Sequence, residues 1–362
     1  MIRLNRRGFI AGAGAAATLP MLAGRASAAD PVKIGYIYVG PVDDGGWTTS
    51  HERGRQQMIK ALGGKIVSQY VDNVPESPDA ANVLSDLANQ GCKLIYATSF
   101  GFMEPAMKVA GDFPDVNFEI CTGFKSAPNV SNYNGRFHEG RAVCGTIAGH
   151  LSKKGVGGYL GTFPVPEVVA GINAFTLAAR KVNPKFTTKV VWINTWFDPA
   201  KEGDAARALG DAGVDVMTQH TDSPAAVQYC QSKGIPTFDQ DNDQAQFGPD
   251  VVKTSTVLEW GDYYTRRAQA MIDGSYKPAD MYEGIKEGLV QMAPLNPNLP
   301  ADVAADANKT IAGWKDGSYD VFAGPIKDNQ GNLKVPEGSK LSYGDILGIN
   351  WLVEGVEGTL PS

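Results

Sequence analysis

The 362-residue chain is poor in the residues that most enzyme signatures require. Its four histidines (His51, His138, His150, His220) do not form the two-histidine helix pair of zinc hydrolases. Neither a Gly-x-Ser-x-Gly elbow nor a phosphate loop ending in Gly-Lys-Ser/Thr occurs, so those hydrolase and nucleotide sites are excluded. The four cysteines (Cys92, Cys121, Cys144, Cys230) lack the short paired spacing of a zinc or redox site, and buried free thiols are the expected state. None precedes Cys92, so a lipid-attachment cysteine near the N-terminus is missing. Basic runs are missing too. With 33 Lys and Arg against 39 Asp and Glu the formal charge is −6, a poor match to nucleic acid or an anionic membrane.

Long hydrophobic runs are also short supply. The run from Phe9 to Ala23 is too short for a membrane span, follows Asn5-Arg6-Arg7-Gly8 and ends before Ala26-Ser27-Ala28. Residues 1–29 therefore read as a cleaved twin-arginine export signal. Loss of Arg3, Arg6, Arg7 and Arg25 takes the formal charge from −6 to −10. The mature chain is expected to be a soluble periplasmic monomer without a lipid anchor.

What the sequence does contain, from residue 31 onward, is an alternation of short apolar strands and amphipathic helices, the pattern of parallel sheets covered on both faces. Strands at Val32–Val39, Ile66–Tyr70, Leu94–Thr98 and Val116–Cys121 alternate with helices from Trp47, Pro78 and Phe102. A second run of the same rhythm starts near Val130, and the length suits two lobes of ordinary size. The expected division is residues 30–135 with about 258–318 in lobe 1, and 136–257 with about 319–362 in lobe 2. Hinge crossings are expected near Arg136, Leu258 and Gly284. A strand is expected at 284–292.

In such folds ligands sit outside the carboxyl ends of strands. Asp43-Asp44-Gly45-Gly46-Trp47 follows the first strand, and Thr195-Trp196-Phe197-Asp198-Pro199 follows the strand Lys189–Asn194. If the lobes face one another, Trp47 and Trp196 close on both sides of a flat ligand, and stacking contributes roughly 1–3 kcal/mol per base. Packing of either ring into its own core is the alternative. Asp222 and the run Asp239-Gln240-Asp241-Asn242-Asp243-Gln244 also follow strands. A carboxylate in a closing cleft is costly unless something donates to it; heterocycle N–H groups do so, whereas phosphate is repelled. Calcium is the other reading of the acid run, but neither a glycine at its sixth position nor a glutamate at its twelfth (Asp250) is present. The glycines of Gly155–Gly161 run through a strand instead of following it, which favours packing over dinucleotide binding. No metal or cofactor is expected.

These residues resemble the basic membrane protein family of ABC-transporter substrate-binding proteins, which includes purine-nucleoside receptors. The likeness runs from Ile34 to about Gly355 and rests on Asp44-Gly45-Gly46-Trp47, Thr195-Trp196-Phe197-Asp198-Pro199-Ala200-Lys201 and Gln240-Asp241-Asn242-Asp243-Gln244. It implies an α/β, type I periplasmic binding protein fold: two doubly wound parallel-sheet lobes joined by hinge crossings, with a purine between two aromatics and a permease as partner. Trp47 and Trp196 are expected to stack, and Asp44, Asp222 and Asp241 to accept ligand N–H groups, with Phe100, Gly123, Phe137 and Phe197 lining the cleft. Tryptophans replace the family's stacking phenylalanines. The family's ribose-facing lysine falls at Leu258 or Glu259, neither a cation, which favours a free base such as adenine over a nucleoside. A sugar or polyol ligand, or an exported nucleoside hydrolase using Asp43 and Asp44, are the alternatives.

Overall fold

Strand β1 (Val32–Ile37) starts the first sheet because its alternating side chains are buried on both faces, with Ile34, Tyr36 and Ile37 wholly inaccessible. The computed structural model describes residues 30–361, so the expected export signal lies outside the described residues. Strands β2 (Ile66–Val71), β3 (Leu94–Ala97), β4 (Asn117–Cys121) and β5 (Val130–Gly135) follow, connected through helices α1 (Trp47–Leu62), α2 (Ala80–Asn89) and α3 (Met103–Asp112). Helix α4 (Phe137–Leu151) then leads to β6 (Val156–Gly161), α5 (Pro166–Val182), β7 (Thr187–Trp192), α6 (Pro199–Asp211), β8 (Val216–Gln219), α7 (Ala225–Lys233), β9 (Thr237–Asp239) and β10 (Val252–Leu258). The rest comprises α8 (Gly261–Ile272), β11 (Met281–Glu283), β12 (Val290–Met292), α9 (Ala301–Asp316), a hairpin β13 (Ile326–Lys327) and β14 (Leu333–Val335), α10 (Tyr343–Leu347) and β15 (Val356–Glu357).

The six-stranded sheet has the order β2-β1-β3-β4-β5-β11, and the seven-stranded sheet the order β15-β7-β6-β8-β9-β10-β12. Within each, the first five strands of the lobe take the same doubly wound arrangement, second-first-third-fourth-fifth. All pairs in these two sheets are parallel except β10 with β12. The order reverses between β1 and β3 and again between β6 and β8, and such switch points open a crevice at the strands' carboxyl ends.

Three segments pass between the lobes, at Gly135–Arg136, after Leu258 and at 284–289, and they are tied side by side. Arg136 donates its backbone N–H to Glu283 and its Nη1 to the Tyr282 carbonyl, both at 2.7 Å, and the Glu259 N–H reaches the Leu289 carbonyl at 2.8 Å. Residues 290–316, expected in the first lobe, belong to the second. There β12 extends the second sheet and α9 packs on α4. The strand expected at 284–292 is confined to β12, because residues before it form a turn in which Gly288 has φ +91°. All four cysteines are buried free thiols. In β6, a side chain on Gly158 would meet Leu209 and Val214 at 3.2 Å, so that glycine serves helix-to-sheet packing.

Candidate ligand-binding cleft

A cavity of about 370 Å³ lies where the two switch points face each other. Trp47, Ser99, Phe100 and Thr122 border it from the first lobe. Glu167, Trp196, His220, Asp222, Gln240 and Asp241 border it from the second.

Trp47 begins α1, and the turn before it is built to hold that helix end. The Asp44 carboxylate, 1% exposed, accepts from Gly46 N–H and Thr48 N–H at 2.9 Å and from Thr49 N–H at 3.0 Å. It satisfies donors that a helix N-terminus leaves free. Asp44 therefore faces its own helix and does not border the cavity, contrary to the role expected for it. The Trp47 indole donates to the Thr98 carbonyl at 2.7 Å, and its ring meets His51, Phe137 and Trp260 edge-on at 4.6, 5.8 and 6.0 Å. These contacts fix the ring while leaving it half-buried at the cavity wall.

Trp196 follows β7, the second strand of its lobe, whereas Trp47 follows the first strand of the other. The two positions are thus not equivalent in topology, although both reach one cavity. The Trp196 indole donates to Glu76 of the first lobe at 2.8 Å, and its ring lies against Phe163 at 5.0 Å. The other Glu76 oxygen accepts from Ser99 Oγ at 2.5 Å and Gly101 N–H at 2.8 Å.

The lobes also touch directly. Asp222 Oδ1 accepts from Trp47 N–H at 2.9 Å, and Asn242 Nδ2 donates to the Gly45 and Gly46 carbonyls at 3.1 and 2.6 Å. A Cβ on Gly46 would lie 2.6 Å from Asp222 Cα, a separation real side chains do not show. Glycine at 46 is what lets the second lobe come this close.

The floor contributed by the second lobe is polar and deeply buried. Burial raises the Asp222 carboxyl well above its usual range, with Asp44 and Asp241 adding to the effect. Burial takes Asp241 up to about 7, against the pull of Arg141, and takes Glu167 up to about 8 with help from Asp241. The Arg141 guanidinium, itself inaccessible, donates to Thr218 Oγ1 at 3.0 Å, to the Gln219 carbonyl at 2.7 Å and to the Gln240 side chain. Burial and the Arg141 charge hold His220 well below the ordinary imidazole range, so the ring is neutral near pH 7. Its Nδ1 faces Arg141 and accepts, which leaves Nε2–H to donate to Glu167 at 3.2 Å. That contact is consequently a hydrogen bond of a neutral ring and not an ion pair.

Of the residues expected from sequence, Trp47, Trp196, Asp222, Asp241 and Phe100 border the cavity. Asp241 does so from a left-handed backbone, φ +69°. Phe137 borders a neighbouring cavity and supports Trp47 from behind. Gly123 is packed against Ile120, where a Cβ would come within 2.8 Å, and its neighbour Thr122 takes the lining position instead. Phe197 borders an outer depression and not the cavity, because the chain turns outward past Trp196 toward α6. In the acid run Asp239 accepts from Gln219 and Gln240, and Asp243 accepts from Ala245 N–H. Those two carboxylates are engaged separately from the cavity-facing Asp241. Among the described residues no group of three His, Cys, Asp or Glu could hold a metal ion. Glu167, His220 and Ser99 carry no site role in the sequence reading, Gln240 enters it only as a member of the acid run, and Glu167 is visible only as an acid in the first turn of α5.

Two lobes closing on a small polar cavity define a solute-binding protein of the type I periplasmic class. Residues 31–313 match the family of PnrA-like ABC transporter substrate-binding proteins, and the chain belongs to that family. It is 50% identical over 341 residues to a purine-binding protein of Brucella abortus, covering 94% of this chain and 97% of that one. It is 32% identical to a putative ABC transporter glucose-binding protein of Haloferax volcanii, over 94% of this chain and 84% of that one. An ABC transporter solute-binding protein of Aeropyrum pernix shares the fold with a TM-score of 0.70 at 16% identity, over 87% of this chain and 95% of that one. No helix among the described residues is long and apolar enough to cross a membrane.

Proposed function

We propose that this substrate-binding protein captures a purine between its lobes, preferring a free base such as adenine to a nucleoside, and delivers it as a periplasmic monomer to an inner-membrane ABC permease. The observation that carries the reading is the convergence of Trp47 and Trp196, from opposite lobes, on one cavity whose remaining wall bears Asp222, Asp241 and Glu167. Two indoles suit the faces of a planar ring. Asp241 and Glu167, raised to about 7 and about 8, suit its edge, since each can accept from an amino or ring N–H when ionised and donate to a ring nitrogen when protonated. The purine-binding relative at 50% identity supports the same ligand class.

The preference for a base rests on what is missing from the pentose side. Leu258 is wholly buried, and the Glu259 carboxylate is turned toward Arg53 and Gln57. Arg53 is itself engaged by the Leu258 carbonyl and Asn242, so it is not free to serve a sugar hydroxyl. Ligand contacts made by both lobes favour the closed form, and closure is the signal a permease reads.

Calorimetry on the mature protein tests this. Adenine is expected to bind with one-to-one stoichiometry and without turnover, and adenosine more weakly. Adenosine binding at least tenfold tighter would overturn the preference for a base. Binding of a hexose with no binding of either purine would transfer the site to the sugar reading, and catalytic release of base from adenosine would support a nucleosidase.

A further inference from the structure

Beside the cleft lies a second cavity of about 500 Å³, which shares Phe100, Thr122 and Glu167 with the first. Those three side chains are therefore the partition between the two spaces. Beyond them the walls change character. Phe124, Phe137, Val165, Ala170, Ile346 and Leu347 supply an apolar surface drawn from both lobes and from α10. Apolar groups outnumber polar ones on this wall. Asn134 spends its amide on the Gly123 carbonyl and Tyr343 hydroxyl, both at 3.3 Å, and Tyr282 stacks on Tyr343 at 3.9 Å. His138, packed against Trp314 and Phe322, carries no charge at neutral pH because burial depresses it to about 3.

A pentose, with hydroxyls to satisfy, is badly served by such walls, since each desolvated hydroxyl without a partner is costly. An alkyl or aryl group is well served. Phe124, 51% exposed at the rim, extends the apolar surface outward.

We propose that the second cavity receives an apolar substituent on the ring of a purine held between Trp47 and Trp196, so that the substrate class includes purine bases carrying alkyl or aryl groups. This rests on the purine reading of the first cavity. Phe100 and Glu167 border both spaces, so a substituent leaving the ring edge beside them enters the second space where these two side chains turn aside.

The test compares adenine, N6-benzyladenine, 9-benzyladenine and adenosine by calorimetry on the intact protein, in the wild type and in two filling variants, Leu347→Trp on α10 and Val165→Phe before α5. Neither position borders the first cavity. One benzyl isomer is expected to bind at least tenfold tighter than adenine, and both variants are expected to abolish that gain while changing adenine affinity by less than twofold. Adenine binding with both benzyl isomers weaker than adenine would overturn the proposal and leave the purine reading intact. A gain that survives in both filling variants would also overturn it, as would adenosine binding tighter than either benzyl isomer. Failure of all four compounds to bind would remove both readings together.

Discussion

The two lobes share one strand order but build opposite walls. Behind the cleft, the first lobe is aromatic. Trp47 rests on His51 and Trp260, and beneath them Tyr36, Tyr96, Tyr133 and Tyr264 pack ring to ring with centroids 4.5–6.0 Å apart. The second lobe places Arg141, His220, Asp222 and Asp241, all deeply buried, and the partly buried Glu167 at or under the same cleft. The same five-strand order thus yields an aromatic platform on one side and a titratable hydrogen-bonding surface on the other. The difference teaches that, on the purine reading, the first lobe offers a stacking ring alone, whereas the second offers both a stacking ring, Trp196, and the acids that would read the ligand's edge.

The sharpest way to break the comparison is to keep both walls and stop them meeting. Gly46→Ala adds a methyl group that collides with Asp222 when the lobes are together. Purine affinity is expected to fall by about a hundredfold, about 2.7 kcal/mol. Small-angle scattering should show no compaction with ligand. Near-native affinity would mean that the Gly46–Asp222 contact is dispensable.

A smaller effect separates the two indoles. Trp196→Ala is expected to weaken binding by about 1–3 kcal/mol while costing little stability, because its ring is held chiefly by Phe163 and by Glu76 across the cleft. Trp47→Ala should weaken binding by a similar amount and also lower the melting temperature by several degrees, since it removes a ring packed on His51, Phe137 and Trp260. Equal stability losses in the two variants would contradict this difference in how the two rings are held.

The smallest effect is in pH. Asp241 and Glu167 have folded values of about 7 and about 8, raised above those of an unfolded chain, so the native state holds protons that the unfolded state has lost. The stability they confer is complete below about pH 4 and is lost as pH rises through 7 and 8. The melting temperature of the ligand-free protein should therefore fall by a few degrees between pH 5 and 8.5, and Glu167→Gln should flatten the curve. A melting temperature that rises across that window would show these acids to be ionised.

Much of this architecture was legible in advance. The βα rhythm gave two doubly wound lobes, and α1 starts at Trp47 and ends at Leu62 because the apolar stripe and the flanking glycines mark both ends. Trp47 and Trp196 were findable because each stands in a glycine- or proline-bearing turn after a strand. Asp44 looked the same as Asp222 from sequence. Both accept from the N-terminal turn of α1, and what separates them is that Asp222 also borders the cavity, which only the fold decides. Glu167 and His220 escaped notice because their significance is mutual: they lie 53 residues apart and meet at 3.2 Å under one guanidinium. The assignment of 290–316 failed because a short turn carries the chain back across the hinge without any change in composition.

The three bridging segments have one last consequence. Two bodies fastened by a single strap can swivel, slide and twist, but three straps lying abreast and bonded to each other, as at Arg136, Tyr282, Glu283 and Leu289, resist every motion except bending across their common line. Opening then has a single coordinate, like a door on a row of pins, and the edge-to-edge distance of the two lips reports that coordinate in full to whatever docks there.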